Sequence, residues 1–264
     1  MYKFVDTAES QETSKILSSV AMNFNGEFLE RLIPWYRTLN VGGRELIGVN
    51  VETAEDISGR DGDYILGQTL PSRTLTIEYK LETKNNSEFR YAFNKMNEIL
   101  HTKEDVPILF IDEPDYTFYG RFNGFDDIPY NTNIITSNFT ILCQDPYKYA
   151  QQKLITGNPI ALGYICPYGI VPDEIKVTIG QNTDKITIDN NTTGRHIVLD
   201  GEFTAGQELI IDIKNNKITL NGQNRMNYLD YVKSDFHNFL VHDRDTIQVN
   251  PDSKMALKIR GRLL

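Results

Sequence analysis

The chain has 264 residues, of which 40% are apolar and 24% charged, enough to bury a core and long enough for two domains of ordinary size. Its formal net charge of -9, without any cluster of Lys and Arg, excludes a surface that grips nucleic acid by neutralising phosphates. No apolar run approaches the ~20 residues of a membrane-spanning helix, and the start, Met1-Tyr2-Lys3-Phe4-Val5-Asp6, lacks a secretory hydrophobic region, so synthesis in a cytoplasm is expected.

Residues 1 to 20 are polar and weakly patterned, an arm or a poorly ordered terminus. Ala21 to Leu46 mixes apolar residues with Asn25-Gly26 and Gly42-Gly43, which suits short strands joined by tight turns. Glu52 to Leu70 carries Asp56, Gly59, Asp61, Gly62, Asp63 and Gly67 with almost no core-forming pattern. A loop of that length inside a compact domain is uncommon and usually functional or disordered.

A clear strand follows, because Leu75, Ile77, Tyr79 and Leu81 alternate with Thr74, Thr76, Glu78 and Lys80. The period then changes. Phe89, Phe93, Met96 and Leu100 fall at helical spacing behind Asn86-Ser87 as cap candidates, predicting a helix from about Ser87 to His101. Further strands are expected over Val106 to Ile111, Tyr116 to Phe122 and Asn133 to Cys143, with Asp-, Pro- and Gly-bearing turns between them. The last of these puts Phe139, Ile141 and Cys143 on one face and stops at Asp145-Pro146, a breaker pair.

Beyond Ala150 the composition shifts. A Gly/Pro-punctuated connector leads into Ile175/Val177/Ile179, Ile186/Ile188, Ile197/Leu199, Leu209/Ile211/Ile213 and Ile218/Leu220, separated by turn clusters, with last strands over Thr246 to Val249 and Met255 to Arg262. Regular short strands without a helix indicate a β-sandwich or barrel. The fold class expected is therefore mainly β, an N-terminal domain over 1–150 with one α-helix and a C-terminal domain over 151–264.

Chemistry is sparse. His101, His196, His237 and His242 have neither i, i+4 pairing nor a Cys-x-x-Cys partner, so no metal is expected. Asp61-Gly62-Asp63 and Asp112-Glu113-Pro114-Asp115 lack the twelve-residue calcium-loop spacing and read as turn carboxylates. No Gly-x-Ser-x-Gly elbow occurs, Cys143 sits on an apolar strand face, and Gly59-Arg60-Asp61-Gly62 lacks the strand-to-helix context of a phosphate loop. Cys143 and Cys166 are expected as free thiols. No catalytic residue, metal or cofactor is therefore assigned. Trp35, the single tryptophan, and the tyrosines Tyr164, Tyr168, Tyr228 and Tyr231 read as core or interface aromatics.

Several stretches in order resemble the distal tail proteins of siphophages infecting Gram-positive bacteria. They are Asn23 to Glu30, Ile33-Pro34-Trp35-Tyr36-Arg37-Thr38-Leu39, Gly43-Arg44-Glu45, Asp61-Gly62, Leu75 to Leu81, Glu88-Phe89-Arg90, Asp112-Glu113-Pro114-Asp115 and Cys143-Gln144-Asp145-Pro146-Tyr147-Lys148-Tyr149. The likeness is densest over 21–150 and continues more loosely through Leu209-Ile210-Ile211-Asp212 and Leu220-Asn221-Gly222.

This resemblance implies a tail-tube-like ring (belt) domain that closes a homo-hexamer, followed by a galectin-like β-sandwich. It implies a baseplate or tail-tip role in the virion, without enzymatic activity, in a protein made in the host bacterial cytoplasm. The implied partners are the tail tube protein above, a tail-associated lysin or tail-spike hub protein below and, in many phages, receptor-binding proteins. The resemblance further implies a lumen through which DNA can pass without sequence-specific contact, and no membrane partner. Oligomer- or tail-interface candidates are Asp56, Arg60, Asp61, Asp63 and Tyr64 in the long loop, with Trp35 and Tyr36; Asp145, Pro146, Tyr147 and Tyr149 form the expected interdomain hinge. The competing reading is a carbohydrate-binding module contacting host cell-wall saccharide.

Overall fold

In the computed structural model, which describes residues 17–54, 61–128, 132–163 and 168–264, the chain divides into two compact units, one ending at Lys148 and the other running from Tyr149 to Leu263. Both are mainly β.

The first unit contains β1 (Met22–Phe24), β2 (Glu27–Phe28), α1 (Leu29–Leu32), β3 (Tyr36–Gly42), β4 (Asn50–Thr53), β5 (Ile65–Thr69), β6 (Arg73–Glu82), α2 (Asn86–Leu100), β7 (Val106–Phe110), β8 (Glu113–Phe125) and β9 (Ile134–Cys143). Its strands pair antiparallel in the order β2-β1-β7-β8-β9-β6-β3. The spine is the β6/β9 ladder, in register from Arg73 opposite Cys143 to Glu82 opposite Ile134. Period-2 alternation places Leu75 opposite Ile141, Ile77 opposite Phe139 and Leu81 opposite Ile135, all buried on one face.

Helix α2 starts at Asn86, and its cap is Asn85, whose side chain accepts the Glu88 amide at 2.9 Å while Glu88 reaches back to the Lys84 amide at 2.9 Å. The first bond satisfies a donor that the first helical turn leaves unpaired, and the second ties the residue before the cap to that turn. Phe89, Ala92, Met96 and Leu100 are its buried face. Burial is worth about 2 kcal/mol for a large side chain, so packing holds a helix that would be marginal alone.

The stretch expected to be a patternless loop contains a β-hairpin. Strands β4 and β5 pair only with each other, and every residue of both is exposed except Gly67, which is half-buried. No face of the hairpin enters the core, so its sequence carries no core pattern.

The second unit holds β10 (Lys148–Gly157), β11 (Ile160–Ala161), β12 (Glu174–Thr178), β13 (Thr183–Asn190), β14 (His196–Phe203), β15 (Glu208–Asp212), β16 (Lys217–Leu220), β17 (Gln223–Asn224), β18 (Thr246–Asn250) and β19 (Lys254–Leu263). One sheet runs β17-β16-β15-β12-β19-β10, the other β11-β18-β13-β14. Their inward residues meet in one core, with Ile175, Val177 and Leu257 from the first sheet and Ile186, Ile188 and Val249 from the second. Two short 3-10 turns, Met226–Tyr228 and Phe236–Asn238, lie between β17 and β18.

Candidate assembly surface and linker

Of the loop candidates, Asp56 and Arg60 lie outside the described residues. Asp61 and Asp63 are exposed just before β5, and Tyr64, 52% exposed, accepts the Ala54 amide at 2.7 Å through its carbonyl, continuing the hairpin beyond β4 and β5. Ile65 and Leu66 follow, 64% and 65% exposed. The hairpin thus presents adjacent large side chains to solvent.

Trp35, in the turn before β3, and Tyr36, the first residue of that strand, part company. Trp35 packs against the first unit's core and meets Tyr91 edge-on with ring centroids 6.2 Å apart. With Leu32, Pro34, Ser87 and Glu88 these rings line a surface hollow of about 620 Å3. Tyr36 belongs to the core: it is buried, stacks on Tyr79 at 5.4 Å, and its hydroxyl shares a 3.5 Å hydrogen bond with Thr38. Burial drives its phenol far above the usual tyrosine range, and that of Tyr79 up to about 12.

One linker candidate, Pro146, is held by a residue that sequence reasoning passed over. Arg73 is buried, donating through Nε to the Pro146 carbonyl at 2.8 Å and through Nη1 to the Gly43 carbonyl at 2.7 Å. Desolvation lowers its pKa. Asp145 accepts the Tyr147 amide at 3.1 Å, closing a turn. Lys148 pairs with Glu113, and Tyr149 lies under the Arg260 guanidinium at 5.9 Å within the second unit. The exit from β9 is therefore a pinned turn, and the chain resumes as strand at Lys148.

Two more unforeseen groups tie the first unit together. Glu30, in α1, is buried and accepts the amides of Ser18 at 2.7 Å and Thr38 at 2.9 Å. Arg44 and Asp112 form a two-pronged pair with both bonds at 2.8 Å, the guanidinium lying 4.8 Å from the Phe110 ring centre. The available signals were an Arg on the apolar parity of β6 and a lone acid inside Phe28-Leu29-Glu30-Arg31-Leu32-Ile33. Cys143 is a free, buried thiol, pushed up to about 12 by desolvation, and Cys166 lies outside the described residues. Among the described residues no group of three or more His, Cys, Asp or Glu could hold a metal ion.

Residues 27–143 match the family of the phage tail protein RIFT-related domain, and residues 170–260 match the siphovirus-type tail component, C-terminal domain. The distal tail protein of Bacillus phage SPP1 is 28% identical over 235 residues, 86% of this chain and 87% of that protein. This chain belongs to the siphophage distal tail protein family. The crystal structure of the SPP1 distal tail protein, described as a paradigm of the hub adsorption apparatus in phages infecting Gram-positive bacteria, has the same fold. Its TM-score is 0.78 at 19% identity, covering 92% of this chain and 99% of that one. A chain of the phage P2 baseplate in its activated conformation with Ca aligns over 85% of this chain and 90% of its own length, but at TM-score 0.42 and 7% identity it carries no weight. A distal tail protein is a virion component, and among the described residues no helix is long and apolar enough to cross a membrane.

Proposed function

We propose that this distal tail protein works as a homo-hexameric ring at the tail tip. Its first domain (1–150) would join the tail tube to a tail-associated lysin or tail-spike hub protein and anchor the host-adhesion components. Its second domain (151–264), a galectin-like sandwich in this reading, lies outside the ring. The role is mechanical, with no reaction catalysed.

The observation that carries this reading is the uneven distribution of exposed large apolar side chains. Among the described residues, eleven lie in the first unit (Leu39, Leu46, Val49, Val51, Tyr64, Ile65, Leu66, Tyr91, Ile111, Phe125 and Ile134) and four in the second (Leu154, Tyr168, Tyr231 and Val232). Contiguous apolar exposure marks surfaces that partners cover, and the hairpin holds five of the eleven from Val49 to Leu66. In a closed ring each copy offers two different surfaces to its neighbours. The hairpin and the Trp35–Tyr91 hollow supply two such surfaces, because aromatic-lined hollows suit interface anchors.

Native mass spectrometry of the purified protein tests the proposal. The expected species is a hexamer. A lone subunit at high concentration, together with absence from assembled tails, would reject it.

A further inference from the structure

The second unit carries a cleft of about 860 Å3 that the proposed function does not draw on. Its volume falls within the ~300–1,000 Å3 typical of small-molecule sites. It opens where Thr178 of β12 stands opposite Lys254 of β19 and Lys176 stands opposite Ala256, all four lining it. Alternation along β19 sends Met255 and Leu257 into the core and turns Lys254 and Ala256 outward. Ala256 contributes only a methyl group, and that leaves a hollow beside the two lysines.

The rim is fixed before any ligand arrives. Asn158 donates to the Val249 carbonyl at 3.0 Å and to Asp252 Oδ1 at 2.9 Å, and its own side-chain oxygen accepts the Val249 amide at 3.0 Å. Ser253 Oγ accepts the Gly180 amide at 3.1 Å and donates to the Pro251 carbonyl at 2.9 Å. Gly180 presses so closely that a Cβ there would stand 2.2 Å from the Asp252 carbonyl oxygen. A rim held this way has little ordering left to do on binding.

Charge and donor chemistry narrow the ligand. Lys176 is neutralised by Glu208, whereas Lys254 is exposed and has no ion-pair partner among the described residues. The lining also offers the Thr156 and Thr178 hydroxyls and the Asp252 carboxylate. No aromatic ring lines it, so a sugar face has nothing to stack on and recognition falls to hydrogen bonds and one charge. A lysine ammonium acts as a compact point charge that suits phosphate, whereas planar carboxylates favour the arginine fork.

We propose that this cleft binds a hydroxyl-rich ligand bearing a single phosphate ester, a sugar or polyol phosphate. Lys254 contacts the phosphate, while Thr156, Thr178 and Asp252 contact hydroxyls. Every lining residue lies in the second unit, so the proposal calls on no residue of the first.

The test is calorimetric titration of the full-length protein with sn-glycerol 3-phosphate and glucose 1-phosphate, using glycerol and glucose as neutral controls. Saturable binding of the esters is expected, at least about tenfold tighter than the controls. Lys254→Glu should weaken it by at least about tenfold, whereas Lys153→Glu, on exposed β10 outside the cleft, should leave it unchanged. A second variant, Thr178→Val, should weaken ester binding without altering the melting temperature. No saturable binding, equal binding of the neutral controls, or unchanged binding by Lys254→Glu would each overturn the assignment. An oligomer of phosphodiester-linked glycerol separates the two sources of such a ligand. An avidity gain in the assembled protein beyond the number of repeat units supports a surface polymer, and equal affinity per unit supports a free ester.

Discussion

Arg44 and Asp112 meet through two parallel hydrogen bonds of 2.8 Å, joining the turn after β3 to the β7/β8 turn across 68 residues of sequence. The fork geometry fixes orientation as well as distance, and the Phe110 ring beneath the guanidinium adds apolar support.

Breaking this pair should cost little at neutral pH. The Asp112 side chain is 35% exposed, so screening limits the pair to about 1 kcal/mol. Asp112→Asn should lower stability by about that amount, and an Arg44/Asp112 double-mutant cycle in urea should return the same coupling. The Arg44 hydrogen bond holds the Asp112 carboxyl below its usual range. A depressed acid stabilises the fold above its unfolded pKa and loses that contribution as pH falls through the folded value. The difference between wild type and Asp112→Asn should therefore shrink below about pH 4.

Glu30 should matter more than Arg44. Its carboxylate serves the backbone amides of Ser18 and Thr38 in a buried setting, and Glu30→Ala would strand both. Each orphaned buried donor costs about 1–3 kcal/mol. Thermal unfolding should show a drop of several degrees, and Glu30→Gln, which keeps one acceptor, should fall between that variant and wild type.

Glycines 26 and 43 should respond differently to alanine. Both have positive φ, +92° and +86°, but a Cβ on Gly26 meets nothing within 4 Å, whereas one on Gly43 would stand 2.1 Å from the Thr74 carbonyl oxygen. Gly26→Ala should cost about 1 kcal/mol of backbone strain. Gly43→Ala must also displace β6, and its measured loss in chemical denaturation should be clearly larger.

Deleting residues 54–68 should leave a folded protein, because the hairpin pairs only with itself and gives nothing to the core. Circular dichroism and melting temperature should hold while ring formation and incorporation into tails are lost. Normal incorporation would show that the hairpin is not an assembly element.

Cys143 should be inert in the native protein. Its side chain is fully buried and its thiol is pushed up to about 12, which leaves little thiolate at neutral pH. In a Cys166→Ser background, labelling with a thiol reagent should track global unfolding; fast labelling of the folded protein would contradict this.

Much of the fold could be read from apolar spacing. Arg73–Glu82, Ile134–Cys143 and the paired apolar positions of the second unit announce strands because one face of each is buried. Helix α2 was legible for the same reason, displaced at its start because Asn85, and not the following Asn86-Ser87, supplies the cap. The β4/β5 hairpin and β10, rich in exposed Gln and Lys, were illegible because no buried face imposes a period on them. At the candidate site, the family likeness singled out Trp35 and Tyr64, which do lie at the surface or in its hollow. It also singled out Tyr36, which burial assigns to the core. Arg73, Glu30 and the Arg44–Asp112 fork depend on partners up to 73 residues away; local pattern marks Arg73 and Glu30 as charges at apolar positions but does not name what they pair with.

The grip of Arg73 has a mechanical corollary. One guanidinium clasps the carbonyls of Gly43 and Pro146, immediately downstream of a strand paired to β6 over its whole length. Tension entering the first unit at Pro146 would meet this clasp before it reached the β6/β9 ladder, so β9 could not slip in register until the hydrogen bond from Arg73 to the Pro146 carbonyl had broken. The clasp stands at the end where such a pull would enter.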